Sequence, residues 1–186
     1  MQKVFLKISK ILDSITKFFS YFCIAMLCIL TLIVFLKAVL LQFGIASAIF
    51  DDLSMYFFSA FFLPAISYAL LLDKHVRLDV VYVKYSKRQK LYFWIFVNLF
   101  FIIPFSAVIS YFGFHFALQG FHIMESSPNG RIPYYFIFKG LIAFGFLLVI
   151  LQSISEILKS IMALKGEKVD FIDEDITKED LSMIGV

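Results

Sequence analysis

Four long apolar segments dominate this chain of 186 residues, and they restrict its possible folds more than any other feature. They cover residues 18–43, 53–72, 91–112 and 136–158. Each is about as long as the 20 or so apolar residues that a helix needs to cross a bilayer. Backbone polar groups in lipid must be paired inside the segment, so the segments are expected to be helices. The sequence therefore predicts an all-α integral membrane protein with four transmembrane helices.

The composition agrees with a membrane location. Hydrophobic residues make up 61% of the chain, Phe occurs 25 times and only 17% of the residues are charged. The mean hydropathy is +0.90. An ordinary soluble domain is roughly 45–50% apolar and needs more polar groups to cover its surface. The two cysteines, Cys23 and Cys28, lie inside the first apolar segment, where they suit apolar packing.

The second and third spans each contain a proline. Pro64 and Pro104 have apolar sequence on both sides, which predicts kinks and not helix ends.

A cleaved signal peptide has a much shorter apolar core than the first span, so the first span is expected to remain in the mature protein.

Basic residues show how the spans are oriented. They concentrate in the N-terminal arm, in the second loop and after the fourth span: Lys3, Lys7, Lys10, Lys17, Lys74, Arg77, Lys84, Lys87, Arg88, Lys90, Lys159, Lys165 and Lys168. The opposite side has Arg131, with Lys139 just inside the fourth span. Since Lys and Arg mark cytoplasmic loops, both termini and the second loop are predicted to be cytoplasmic.

Two terminal segments flank the predicted membrane domain of residues 18–165. Residues 1–17 form an amphipathic arm, with apolar residues at helical spacing between lysines, and we expect this arm to lie on the inner leaflet. Residues 166–186 are acidic and are expected to form a cytoplasmic tail.

The second loop has a pattern that a simple topology signal would not require. If residues 73–85 are helical, Asp73 pairs with Arg77 and His75 with Asp79 at i, i+4. We prefer a short interfacial helix here. A strand, suggested by the alternation around Val76, and a mere positive topology signal remain as alternatives.

Three charged residues lie around the loop between the first two spans, and contacts near that loop can explain them. Lys37 either snorkels to the headgroups or contacts Asp51, Asp52 or a partner subunit. Asp51 and Asp52 precede the second span and are expected to cap its helix.

The sequence contains no constellation that predicts an enzyme or a cofactor site. It has no phosphate-binding glycine loop, and no Asp or Glu lies in the middle of a span. His115, His122 and Glu125 fit no strong metal signature. The alternative function, a four-helix anchor for haem or quinone electron transfer, would need histidines at matching depth on facing helices. We therefore expect neither catalysis nor a cofactor.

Two stretches resemble a known transporter family. "DDLSMYFFSAFFLPAISYALLLDKHVRLDVVY" and "ESSPNGRIPYYFIFKGLIAFGFLLVILQSISEI" are similar to the small, DctQ-type membrane subunit of tripartite ATP-independent periplasmic (TRAP) transporters. The positions that match its motifs are Asp51, Asp52, His75, Val76, Arg77, Asp79, Glu125, Ser126, Pro133 and Lys139. Lys37 stands where the family often has Arg. The resemblance covers about residues 18–165 and does not explain the acidic tail.

This resemblance implies a non-enzymatic subunit of the bacterial inner membrane. Its partners would be the large permease subunit, which holds the sodium and substrate sites and moves as an elevator, and a periplasmic solute-binding protein. No nucleic acid is implied. The substrate would be a small organic acid, and the matching residues above would serve as subunit-interface or motif positions.

Overall fold

The computed structural model describes residues 2–72, 86–130 and 132–165. Helix α1 is Gln2–Gln42 and α2 is Ala48–Leu71. The third segment consists of α3 (Lys87–Val97), a π-helical turn (Asn98–Ile102) and α4 (Ile103–His122). Helix α5 is Tyr135–Leu164. The four segments are each long and apolar enough to cross a membrane, which confirms the predicted fold class of four helical spans. The cytoplasmic placement of the termini stays a prediction.

Helix α5 is the centre of the bundle. It packs against α1, α2, α3 and α4, and α1 also packs along α2. The residues between α1 and α2, and those between α4 and α5, lie at one end of the bundle, which we call the loop end. The start of α1 and the end of α5 lie at the other, which we call the terminal end.

The N-terminal arm continues into the first span without a break. Helix α1 has 41 residues, which gives a length of about 60 Å, twice the roughly 30 Å of a hydrocarbon core. In this arm Ser9 and Thr16 are buried, whereas Ile8 and Ile11 are exposed. The polar face of the arm therefore packs inside the bundle, and its apolar face points outward. Whether the membrane boundary falls near residue 17 stays a prediction.

The third segment changes its helical pitch just before a proline. Ser86 and Gln89 form a capping box at the start of α3. In the π-helical turn the Ile103 amide donates to the carbonyl of Asn98, five residues back. Pro104 follows directly, and Pro64 lies inside α2. Helical backbone continues on both sides of each proline, as predicted.

Small residues allow the helices to approach closely. A Cβ added at Gly145 of α5 would lie 2.7 Å from the Cβ of Leu63 on α2. A Cβ added at Gly113 of α4 would lie 3.1 Å from the Ala143 amide nitrogen of α5. In lipid, where apolar side chains gain little by leaving the solvent, such close backbone packing holds helices together.

Two predicted elements lie outside the described residues. These are the interfacial helix at residues 73–85 and the acidic tail at 166–186.

Candidate functional site

Asp52 joins α2 to the loop between α4 and α5. Its Oδ1 accepts a hydrogen bond of 3.0 Å from the side-chain amide of Asn129, and its Oδ2 accepts one of 2.5 Å from the backbone amide of Gly130. Asp52 is 5% exposed. A Cβ at Gly130 would lie 2.9 Å from the Cα of Ile49, so the loop approaches α2 this closely because residue 130 is glycine.

The capping role expected for Asp51 and Asp52 is wrong. Helix α2 begins at Ala48, with Ser47 as its N-cap and no side-chain capping hydrogen bond. Asp51 lies in the first turn of the helix, where its charge suits the positive end as expected, and Asp52 follows it and satisfies donors of a distant loop. The prediction failed because the helix extends one turn further toward the N-terminus than the apolar pattern indicated.

The same loop is also closed on itself. The Ser127 amide donates to the carbonyl of Ile132 at 2.9 Å, and the Ile132 amide donates to the Ser127 hydroxyl at 2.8 Å. Ser127 is buried, whereas Ser126 and Pro133, the positions that the family resemblance singles out, are exposed. The loop therefore has a defined shape that Ser127 maintains.

Lys139 and Glu125 form a buried ion pair next to this loop. The Lys139 Nζ lies 2.6 Å from Glu125 Oε2, and Lys139 is 8% exposed. The same Nζ sits 3.7 Å from the ring centroid of Phe116 on α4, a favourable cation–π distance. A Cβ at Gly120 would lie 3.0 Å from the Glu125 carboxylate, so glycine leaves room for the pair. The pair connects α4, the loop and α5.

Lys37 forms an ion pair with Asp51, which joins α1 to α2 at the loop end. Both side chains are substantially exposed. Of the alternatives for Lys37, the structure shows the contact with Asp51. An exposed pair of this kind contributes roughly 0–1 kcal/mol to stability.

The remaining predicted positions form no site in the part of the chain that the structure describes. His75, Arg77 and Asp79 lie outside the described residues. His115 packs edge-on against Tyr111 of the same helix, with centroids 4.5 Å apart. Among the residues that the structure describes, no group of three or more His, Cys, Asp or Glu could hold a metal ion.

A second polar cluster, which was not predicted from the sequence, lies between α1 and α5. We call it the α1–α5 cluster: Asp13, Thr16, Gln152, Ser155, Glu156 and Lys159. Thr16 Oγ1 donates to Gln152 Oε1 at 2.7 Å. The Gln152 amide nitrogen donates to Asp13 Oδ1 at 3.1 Å and to Glu156 Oε1 at 2.9 Å. One glutamine side chain thus links the two helices.

An ion-pair triad completes the α1–α5 cluster. Lys159 Nζ lies 2.6 Å from Glu156 Oε1 and 3.4 Å from Asp13 Oδ2. The Ser155 hydroxyl lies 2.7 Å from Asp13 Oδ1. Glu156 and Lys159 are buried. Since buried charges are stable only when paired and hydrogen-bonded, this triad is a helix-to-helix contact.

A sequence signal for this cluster exists. Ser9, Asp13, Thr16 and Ser20 recur at spacings of four, three and four along α1, which places them on one helical face. The apolar residues between the lysines instead predicted that the opposite face of this arm contacts the membrane. In a membrane the polar face of such a helix packs inward, because hydrocarbon cannot satisfy hydroxyl and carboxylate groups.

Taken together, the described part of the chain contains four buried charged side chains, Asp52, Lys139, Glu156 and Lys159. Each has a partner within the chain. This arrangement serves helix packing, and it does not resemble a nucleophile with its base or an open metal site.

Comparison with known proteins gives a family match for the chain. Neither a curated protein nor a solved structure matches the chain. Residues 26–162 match the family described as tripartite ATP-independent periplasmic transporters, DctQ component. This match covers most of the chain: it contains the second and third membrane-crossing segments, nearly all of the fourth and the later part of the first. The chain therefore belongs to the DctQ family, the small membrane component of TRAP transporters.

Proposed function

We propose that this chain is the non-catalytic scaffold subunit of a sodium-coupled TRAP transporter for a small organic acid in the bacterial inner membrane. It packs against the large elevator-type permease subunit and helps to dock the periplasmic solute-binding protein. The family match supports membership of the transporter. The pairing of the buried charges, the exposed apolar surface and the fixed shape of the loop between α4 and α5 support the roles proposed for the subunits.

The internal pairing of the four buried charges is the observation that carries the proposal. Asp52 and Lys139 fasten the loop end, whereas Glu156 and Lys159 fasten the terminal end. A subunit that must stay fixed while its partner moves benefits from such contacts, because breaking a buried pair costs about 3–5 kcal/mol. A carrier of a charged substrate would instead hold polar groups ready for its ligand.

The outward surface of the bundle suits a large apolar partner or lipid. Along the third segment the rings of Phe93, Phe100, Phe105 and Phe112 are exposed. Exposed apolar patches of this extent mark membrane or protein contacts. We assign part of this surface to the large permease subunit and the remainder to lipid.

The loop between α4 and α5 is the proposed contact with the solute-binding protein. Its shape is fixed by Asp52, by Ser127 and by the Glu125–Lys139 pair. A preformed loop binds a partner without losing conformational entropy at that moment. The distribution of basic residues predicts that this loop lies outside the cytoplasm.

Reconstitution tests the scaffold proposal directly. We expect sodium-gradient-driven uptake of an organic acid by liposomes that contain this chain, the large subunit and the solute-binding protein. Liposomes that contain this chain alone should show no uptake above protein-free liposomes. Uptake by this chain alone would contradict the scaffold assignment. Full uptake by the other two components without this chain would contradict any need for it.

The motif in the second loop is proposed as a contact with the large subunit. Arg77, together with His75 and Asp79, matches the family motif. Arg77→Ala should weaken co-purification with the large subunit while membrane insertion stays normal. Lys87→Ala is the matched control, because it removes one positive charge near the same loop without touching the motif. Equal co-purification of both variants would reduce the motif to a topology signal.

A further inference from the structure

The N-terminal arm exposes a row of positive charges, which we call the lysine stripe: Lys7, Lys10 and Lys17. Their spacings of three and seven residues place them on one side of α1. All three side chains are exposed, and none of them forms an ion pair with another described residue. Asp13 is the only acidic residue of the arm, and its carboxylate binds Ser155 and Lys159 of α5. The stripe therefore lacks a negative partner in the part of the chain that the structure describes.

The lysine stripe lies beside the end of α5. Two of its lysines are three residues before and four residues after Asp13, so they flank this residue on the surface of α1. Asp13 contacts Lys159 of α5, and one turn further along α1, Thr16 contacts Gln152. The two helices therefore run in opposite directions here, and the last turns of α5 lie level with the first turns of α1. The chain that follows α5 starts next to the arm.

The segment that follows α5 has the opposite charge. Residues 166–186, the acidic tail, contain seven acidic and two basic residues, and three consecutive carboxylates stand at 173–175. Apolar residues flank this run, namely Phe171, Ile172 and Ile176. The surface of the arm also combines charge with apolar groups, because Ile8 and Ile11 are exposed beside the lysines. The tail and the arm are therefore complementary in both respects.

Both elements lie outside the part of the chain that matches the family. The match covers residues 26–162, so it includes neither the lysine stripe nor the acidic tail. The chain thus has two segments of opposite charge, beyond the region shared with the family, at the same end of the bundle. A contact between these two segments accounts for both of them at once.

We propose that the acidic tail binds to the lysine stripe of its own chain. Residue 173 follows Lys165, the first residue after α5, by eight residues, which span about 26 Å when extended. The stripe is ten residues long from Lys7 to Lys17, which is about 15 Å along the helix, so the carboxylates of the tail reach it. Each exposed ion pair is weak, but tethering gives the tail an effective concentration on the order of millimolar. The contact does not depend on the proposed transport role.

Anionic lipid headgroups are the other candidate occupant of the stripe, and the length of α1 argues against them. The arm lies flat on the inner leaflet only if α1 bends near residue 17, whereas Gln2–Gln42 is one helix without a break. For an upright helix with the membrane boundary at residue 17, as predicted, Lys7 lies about 15 Å beyond the boundary and Lys10 about 10 Å. The headgroup layer on each side is only about 5–8 Å thick. Lipid phosphates therefore reach Lys17 but leave the rest of the stripe to the tail.

The distance between two spin labels tests this contact. Ser14→Cys lies between two lysines of the stripe, and Thr177→Cys lies just after the run of carboxylates. Nitroxides would be attached at both positions in a chain that also carries Cys23→Ala and Cys28→Ala. The full chain would be placed in nanodiscs that contain phosphatidylglycerol, with one chain in each, so that only contacts within a chain are measured. Double electron–electron resonance should then show a narrow peak at short distance.

Matched variants separate the lysine stripe from positive charge in general. Lys7→Gln with Lys10→Gln removes two exposed charges of the stripe and should reduce the short-distance population several-fold. Arg88→Gln with Lys165→Gln is the control, because both residues are exposed cations at the same end of the bundle but lie outside the arm. This second pair of substitutions should leave the peak unchanged.

A broad distance distribution in the labelled chain with an unaltered stripe would overturn the proposal. Recovery of the peak when phosphatidylglycerol is replaced by phosphatidylcholine would then assign the lysines to lipid phosphate. An undiminished peak in the variant with Lys7→Gln and Lys10→Gln would also overturn it, because the tail would then be held by something other than the stripe.

Discussion

Thr16 on α1 donates a 2.7 Å hydrogen bond to the side chain of Gln152 on α5, a residue 136 positions later. The same glutamine contacts Asp13 and Glu156. This one side chain therefore joins the arm that precedes the first span to the central helix. The contact makes α1 part of the bundle along its N-terminal half, where an isolated amphipathic arm would lie only against lipid.

Loss of the Lys159 charge should destabilise the protein strongly. Lys159→Met keeps a long side chain but leaves the carboxylates of Asp13 and Glu156 without their shared cation. Breaking a buried pair from one side costs about 3–5 kcal/mol. Reversible unfolding in mixed micelles, followed by circular dichroism, would measure this loss.

The control for this variant is Lys165→Met, at the end of the same helix. Lys165 is exposed, and a surface change of this kind alters stability by about 0.5 kcal/mol or less. Unfolding of both variants at the same denaturant concentration would show that the α1–α5 cluster contributes nothing to stability.

Two glycines on α5 should respond in opposite directions to the same substitution. Gly145→Ala places a Cβ 2.7 Å from Leu63, and overpacking of this kind costs about 1–3 kcal/mol. Gly140→Ala meets only the Cβ of Ala117 at 3.9 Å, so the higher helix propensity of alanine should stabilise it by up to about 1 kcal/mol. Thermal unfolding of the two variants measures the difference. Equal melting temperatures would mean that α2 and α5 do not touch at Gly145.

The fold could be predicted from the sequence because a helix that crosses a membrane must be long and apolar, and both properties are visible in the sequence. The predicted spans agree with the observed helical segments: the first two end one residue beyond the helix, and every segment otherwise extends past the predicted bounds. The extensions were missed because residues such as Ala48 and Ser160 are less apolar than the span centres, although their backbone hydrogen bonds continue the helix. The π-helical turn at Asn98 also left no readable pattern, since one extra residue hardly changes an apolar run of Phe and Ile.

The candidate site was only partly predictable, for a different reason. Lys37, Asp52, Glu125 and Lys139 were singled out, and each makes a specific contact. Their partners could not be deduced, because Gly130 and Asn129 bind Asp52 from 77 or more residues away. To predict the α1–α5 cluster, one would have to know that the polar side of α1 faces inward. Residue spacing alone does not decide which face of a helix is buried.

Asp52→Asn should loosen the loop between α4 and α5. An amide has one acceptor oxygen, so it cannot satisfy both Asn129 and Gly130 as the carboxylate does. A buried donor left without an acceptor costs about 1–3 kcal/mol. Hydrogen exchange at residues 127–130, followed by mass spectrometry, should become faster.

Asp51→Asn is the matched control for this change. It removes the same charge one residue away, from an exposed pair with Lys37, and exchange in the loop should remain at the level of the unaltered chain. Equal acceleration in both variants would mean that the loop responds to the charge at the start of α2, and not to the hydrogen bonds of Asp52.

The direction in which the bundle crosses the membrane can be tested with single cysteines. In a chain whose Cys23 and Cys28 are replaced by alanine, cysteines at Ser47 and Ser126 should react with an impermeant maleimide in intact cells. A cysteine at Ser86 should react only after the cells are opened. The reason is the excess of Lys and Arg on the Ser86 side, which the positive-inside rule assigns to the cytoplasm.

This test is decisive because Ser47 precedes the start of α2 in the chain and Ser86 follows its end. Ser47 precedes Ala48, where that helix begins, and Ser86 follows its end at Leu71 by a connection. A helix of 24 residues is about 36 Å long, enough to cross the hydrocarbon core. Labelling of Ser86 alone in intact cells would invert the predicted orientation. Labelling of both Ser47 and Ser86 would mean that α2 does not cross the membrane, and would contradict the four-span architecture itself.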